Sequence, residues 1–363
     1  MMKKILILAA VLALSSACAK HSENVPTDGL PIDFGTWTGT MTKAAKTGWA
    51  NNDAFDVYGF KWNTGPADQA TVFNGDDVTY STSTTKWSYS PLRIFDGNFT
   101  NYTFFAVYPA GQLVNEPNAN DYSQRGLFVT NNLSYDGSTE KLLVAKKADV
   151  ARASYGSPVE LHFMHMGSLV DIKFKKHADI SAANVSVTSI ALSDIKIEGS
   201  YTVASYDGSN EPVGATVDGV AGLGWTSTAT VNATPAVSPY LNNSTVSLSS
   251  DNGVGTANAA SLISDLILMP QVLGTASGPK ITLSYTITTG SGVNEQTVTF
   301  TDKDIYFGKF DITDDEANTT GFIPAWMPGV HYTYYITINA NAIQFTADIV
   351  DWTIQDGHYY LIN

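Results

Sequence analysis

The chain reads as an all-β protein built from two tandem antiparallel β-sandwich domains. Short segments of alternating apolar and polar residues recur throughout, separated by turns rich in Gly, Asn, Asp and Ser. The length of 363 residues exceeds what one ordinary domain holds. Aromatic residues, 16 Phe, 18 Tyr and 7 Trp, suffice for large cores.

The elements follow in chain order. Phe55-Asp56-Val57-Tyr58-Gly59-Phe60 is aromatic and β-branched and reads as a strand, as does Tyr102 to Tyr108, stopped by Pro109. Residues 159–174 alternate Leu161, Phe163 and His165 against His162, Met164 and Met166, break at Gly167 and resume, which predicts a bulge or bend in one long strand. Further strands are expected at Val185–Ile197, Thr245–Leu248, Leu262–Met269, Lys280–Ile287 and Gln296–Phe300. Turns fall between them at Tyr206–Asn210 and Asp251–Gly253. The clearest hairpin is C-terminal. Tyr332, Tyr334, Ile336 and Ile338 form one face, Asn339–Ala342 connects, and Ile343, Phe345, Ala347 and Ile349 return. Apolar parity then flips to Val350, Trp352 and Ile354, the mark of a bulge or a change of sheet. The chain finishes on Tyr359-Tyr360-Leu361-Ile362-Asn363, a strand-forming tail that aggregates unless something pairs with it. The expected domains are 30–180 and 181–363.

The N-terminus carries a targeting signal over residues 1–17. Lys3 and Lys4 precede an apolar run of about ten residues, too short to span a bilayer and suited to a signal-peptide core. Leu14-Ser15-Ser16-Ala17-Cys18 resembles a bacterial lipobox, and Cys18 is the only cysteine, so it has no disulfide partner within the chain. Lipidation of Cys18 accounts for it; ordinary cleavage at the small-x-small site Ala17-Cys18-Ala19 is the other reading. Residues 18–29 then form a polar tether. Loss of Lys3 and Lys4 leaves 18 basic against 34 acidic residues, a net charge near −16. With only Arg93, Arg125 and Arg152, that balance argues against nucleic acid and against a phosphate-binding cluster.

Seven segments together resemble the fimbrillin-like (Mfa-like, type V pilin) lipoproteins of Bacteroidetes. They are Ile32-Asp33-Phe34 before a short basic segment, Phe55–Phe60, Phe104–Pro109, Leu161-x-Phe163-x-His165 with Ser168-Leu169-Val170, Ile190–Gly199, Leu268-Met269-Pro270-Gln271, and Trp326-x-Pro328-Gly329-x-x-Tyr332-x-Tyr334 with Val350-Asp351-Trp352. The resemblance implies two transthyretin-like sandwiches, export to the outer membrane and cell surface, and a structural or anchoring role in fimbriae that supports adhesion. It implies proteolytic removal of the first strand, about Leu30–Thr40, after Lys43 or Lys46. A strand from another fimbrial subunit then fills the groove. The donor segment would be 343–363, with Ile343, Phe345, Ile349, Trp352, Tyr359 and Leu361 as its apolar residues. Partners would be other subunits, the outer membrane through the lipid, and a host or bacterial surface receptor. The basic segment holds lysines where many relatives have arginine, which leaves a lysine-tolerant protease or a subunit that stays uncut as an anchor in place of an arginine-specific cut.

No catalytic, metal or cofactor site is expected. His162 and His165 form H-x-x-H, but on a strand residues three apart face opposite sides and cannot share an ion. Residues 310–321 bring Asp311, Asp314, Asp315 and Glu316 together yet lack the glycine and glutamate of a calcium loop. G-x-S-x-G, P-loop and G-x-G-x-x-G patterns are missing from the sequence. A competing reading is a monomeric surface lipoprotein that binds glycans on Trp37, Trp49, Trp62 or Trp87, although sandwich tryptophans more often pack in the core. A surface hydrolase using paired carboxylates is a third.

Overall fold

The structure is a computed structural model that describes residues 29–37, 48–64, 70–115, 127–135, 137, 140–205, 213–227, 246–248, 259–309, 311–312, 323–340 and 343–351. It is all-β, as expected, with the strands numbered here in chain order. The N-terminal sandwich has a six-stranded sheet in the order β11 (Met164–His165), β9 (Leu143–Ala151), β5 (Asn101–Tyr108), β2 (Ala54–Trp62), β3 (Ala70–Ser81), β4 (Lys86–Ser88). A two-stranded sheet of β1 (Phe34–Trp37) and β10 (Val159–His162) supplies core side chains to the same cluster. The C-terminal sandwich has a five-stranded sheet, β19 (Ala260–Leu268), β12 (Ser168–Lys176), β23 (Val330–Ile338), β24 (Ile343–Asp351), β22 (Asp311–Ile312). Its four-stranded partner runs β18 (Val246–Leu248), β13 (Asn184–Ser193), β20 (Lys280–Thr289), β21 (Gln296–Tyr306). A fifth sheet joins the halves: β16 (Val220–Gly222), β15 (Val213–Val217), β14 (Glu198–Ser205), β7 (Phe128–Thr130), β6 (Leu113–Asn115), with β17 (Trp225–Ser227) and β8 (Leu133–Ser134) also on β14.

The near-continuous apolar character of β2 and β5 has a simple cause. Phe104 and Ala106 enter the core of the N-terminal sandwich, while Phe105 and Val107 enter clusters on the opposite side of the same sheet. A strand buried on both faces loses the polar half of its alternation. Gly59 in β2 lies under the rings of Phe73 and Phe104, where a Cβ would collide with Phe73.

Residues 159–174 do not form one bent strand. They make β10, β11 and most of β12, which pair with β1, β9 and then β19 and β23. Gly167 therefore marks the passage between sandwiches, and its N–H and C=O bond Glu140 and Gly329. The expected division at residue 180 differs from this pairing, because Ser168–Lys176 sits in the second sandwich between β19 and β23. Alternation gives the faces of a strand but not the sheet that receives it. Among the described strands three pairs are parallel: β1–β10, which forms its two-stranded sheet by itself, and β12–β23 and β22–β24 in the mixed five-stranded sheet. The strand expected over Val185–Ile197 ends at Ser193, where Asp194 takes a positive φ of 59°. The hairpin is as expected, with Ile338 opposite Ile343 and Tyr332 opposite Ile349. Its register is unbroken to Asp351, so the parity flip at Val350 brings no bulge within the described strand.

Candidate functional site: the groove filled by the first strand

Residues 29–37 lie in a groove of the N-terminal sandwich, paired on both sides. On one side Gly29 N–H donates to Phe95 O (3.1 Å), Phe95 N–H to Leu30 O (2.9 Å) and Ile32 N–H to Arg93 O (3.0 Å). On the other, Phe34–Trp37 runs parallel to Val159–His162, and Val159 N–H donates to Asp33 O (2.8 Å). Pro31 and Asp33 are exposed, whereas Ile32 is fully buried and Phe34 nearly so. That period of two is what a strand with one face in a core requires.

The Phe34 pocket is aromatic. Its ring meets Phe55, Phe73, Tyr89 and Phe104 edge-on, with centroids 5.5–6.1 Å away. Such edge-to-face pairs add about 0.5–1.5 kcal/mol each beyond the area they bury. Two side chains fix the register. Tyr89 Oη donates to Ile32 O (2.6 Å), and Trp87 Nε1 donates to Thr36 Oγ1 (2.9 Å). Burial pushes the Tyr89 hydroxyl pKa up, which keeps it a donor. Gly35 faces Glu160, and a Cβ at that position would run into the Glu160 carboxylate. The groove thus takes two apolar residues two apart and, two positions on, a hydrogen-bond acceptor. Leu92 and Ile94 stay exposed on its rim.

The expected site residues distribute as follows. Cys18, Lys43 and Lys46 lie outside the described residues, and the lysines belong to the segment between Trp37 and Gly48. Ile343, Phe345 and Ile349 are in β24, which pairs with β23 on one side and β22 on the other; Trp352, Tyr359 and Leu361 fall outside the described residues. His162 is exposed on β10, while His165 is buried and its Nδ1 lies 3.1 Å from Glu140 Oε2. Among the described residues no cluster of three His, Cys, Asp or Glu side chains is arranged to hold a metal. Of the acidic run, Asp311 starts β22 and Asp314, Asp315 and Glu316 lie outside the described residues. Trp49 packs on Trp87 at 4.9 Å and on Phe163 at 5.4 Å, and both tryptophans are half-buried and pack against the core. Trp62 is half-buried. Sequence reasoning missed Tyr89, Arg93 and Phe95, which line the groove from an irregular stretch without periodicity.

A family model described as fimbrillin-like matches residues 42–352, most of the chain. The chain belongs to the fimbrillin-like family. A crystal structure of a fimbrial protein from Bacteroides vulgatus has the same fold, at 18% identity and a TM-score of 0.57, covering 89% of this chain and 99% of that one. Two Porphyromonas gingivalis structures are more distant. A fimbrilin shares 8% identity at a TM-score of 0.40, with 91% and 99% covered, and the C-terminally truncated tip fimbrial protein Mfa3 shares 11% at 0.37, with 83% and 95% covered. No curated protein matches the sequence.

The residues of the Pro-Gln turn and of the Trp-x-Pro-Gly segment have structural roles inside the C-terminal sandwich and where the chain crosses into it. Gln271 is buried, and its amide bonds both Lys196 N–H (2.8 Å) and Lys196 O (3.0 Å), tying the Pro-Gln turn to the end of the β13 turn. Trp326 is buried with Nε1 on Tyr334 Oη at 2.7 Å. Gly329 adopts a φ of 69° and donates to Gly167 O (2.9 Å).

Proposed function

We propose that this fimbrillin-like chain is a structural or anchoring subunit of cell-surface fimbriae that supports adhesion. It is exported as a lipoprotein through Cys18 and assembles by donor-strand exchange once cleavage after Lys43 or Lys46 frees the first strand. The observation that carries this reading is the groove. The first strand contributes Ile32, Phe34 and a short set of main-chain bonds to a core otherwise built from Phe55 onward. Its loss leaves an aromatic slot between two unpaired edges, which another strand can fill by main-chain pairing and side-chain docking. Because 343–351 is paired within its own sheet, the donor is the tail beyond Asp351, or the whole hairpin strand if it detaches. The glycan-binding alternative loses support from the packing of Trp49 against Trp87.

The test is mass spectrometry of the mature N-terminus of protein sheared from native cells. A start at Ala44 or Thr47 is the expected result, and Lys43→Ala with Lys46→Ala should block both processing and incorporation into fibres. Normal fibres from the double variant would remove the exchange mechanism.

A further inference from the structure

We propose that the outer edge of β21 is a self-association seam, where the strand pairs antiparallel with its counterpart in a second copy about a two-fold axis at Thr299. This lies on the C-terminal sandwich and does not depend on the groove or its cleavage.

β21 is eleven residues long and ends its sheet, paired with β20 on its inner side and with no described residue on its outer side. Gln296 to Thr299 are all exposed, and Val298 is 55% exposed. Natural edge strands are blunted by charges, proline or bulges. On β21 these devices sit only in the far half, where Asp302 takes a φ of 51° at a register shift and Lys303 and Asp304 follow. Gln296–Thr301 has none, and its composition is strongly strand-forming.

The occupant follows from the pattern Thr297-Val298-Thr299-Phe300-Thr301, which reads the same apolar–hydroxyl order in both directions. Antiparallel pairing centred on Thr299 puts Val298 opposite Phe300 of the copy and Thr297 opposite Thr301, each twice. Phe300 already stacks on Tyr285 with centroids 4.6 Å apart, and Val298 lies opposite Ile287, so the copy would extend an apolar strip that leaves the core at this edge. On the other face Ser247, Ser186, Thr286 and Thr299 stand in one register across all four strands. Ser186 and Ser247 are hydrogen-bonded at 2.8 Å, and Thr288 and Thr297 at 2.9 Å. A centre at Thr299 continues that hydroxyl row into the copy, and threonine–threonine pairs across strands are stabilising. Moving the copy by one residue would set apolar faces against hydroxyl faces.

The experiment uses the mature chain carrying Cys18→Ser, Lys43→Ala and Lys46→Ala, so that neither lipid nor strand exchange joins copies. Sedimentation velocity over a rising concentration series should show a reversible dimer, and Val298→Lys should weaken it by at least about tenfold through like charges meeting the seam. On oxidation Thr299→Cys should form a disulfide dimer, since paired residues across a two-fold axis sit about 4.5–5.5 Å apart at Cα. Val293, fully exposed in the turn before β21, lies beyond Gln296, which is itself ~20 Å from its counterpart across the two-fold axis, so Val293→Cys should not cross-link. A chain that stays monomeric, a dimer indifferent to Val298→Lys, or equal cross-linking of the two cysteine variants would each overturn the seam.

Discussion

At the scale of single residues, Asp171 shows how one carboxylate can hold three strands of the C-terminal sandwich. Its Oδ2 lies 3.0 Å from Nε2 of His331 on β23, and its Oδ1 accepts Asp265 N–H of β19 at 2.7 Å. Asp265 has a φ of 57° at the register shift opposite Asp171, so the carboxylate caps a bulge as well as bridging strands. Burial works to raise the Asp171 pKa, but the His331 and Asp265 hydrogen bonds outweigh it and the net shift is downward. A carboxyl whose pKa is depressed by folding contributes stability above its unfolded pKa and loses it as pH falls through the folded value. Asp171→Asn should therefore cost about 1–3 kcal/mol at neutral pH. The difference from the wild-type chain should shrink as pH drops below ~4. Thermal melts of both proteins from pH 7 to pH 3 check this, and a gap that widens toward acid would contradict it.

At the scale of elements, the first strand should be separable from the sandwich it completes. Phe34→Ala removes the ring at the centre of the aromatic slot and should cost about 3–5 kcal/mol. That loss should concentrate on the strand itself. Hydrogen exchange should speed at Phe95 N–H and Val159 N–H, which bond the first strand, while amides in the middle of β5 stay protected. Equal acceleration throughout would mean the strand is not a separable unit. This element was legible only through the family resemblance carried by Ile32, Asp33 and Phe34, which placed a first strand at about Leu30–Thr40. Phe55–Phe60 and Tyr102–Tyr108 were legible too, since aromatic and β-branched residues leave few alternatives. What sequence could not supply was partnership. The alternation through Leu161, Phe163 and His165 is real, yet consecutive pieces of it pair with three different sheets. Nor could spacing reveal that Tyr89 and Phe95, in an irregular stretch, would close the groove, because only the folded chain brings them to Ile32 and Phe34.

At the scale of the whole molecule, the two sandwiches are joined by a core rather than by a linker. Val107, Phe128, Leu142 and Val144 from the N-terminal half meet Tyr201, Trp225, Ile267 and Met269 from the C-terminal half, with Met166 and Leu169 at the crossing. β14 carries the joint, since it pairs with β7 and β8 from one half and β15 and β17 from the other. Trp225 fastens it by donating Nε1–H to Met166 O at 2.7 Å. Beside it the buried Glu140 carboxylate meets His165 Nδ1 at 3.1 Å and accepts from Tyr135 Oη and the amides of Lys141, Leu142 and Gly167. Burial, then the Glu140 charge, pushes the Tyr135 hydroxyl pKa well up, so it remains a donor to that carboxylate. A joint with its own apolar core and a fully bonded buried charge should make the halves melt together. The wild-type chain is therefore expected to show one calorimetric transition with equal calorimetric and van't Hoff enthalpies. Trp225→Ala should remove about 3–5 kcal/mol from the joint and separate that transition into two. Glu140→Gln keeps the shape but removes the charge from the His165 contact, and should lower the single transition without splitting it. Two transitions in the wild-type chain would show that the shared core does not couple the sandwiches.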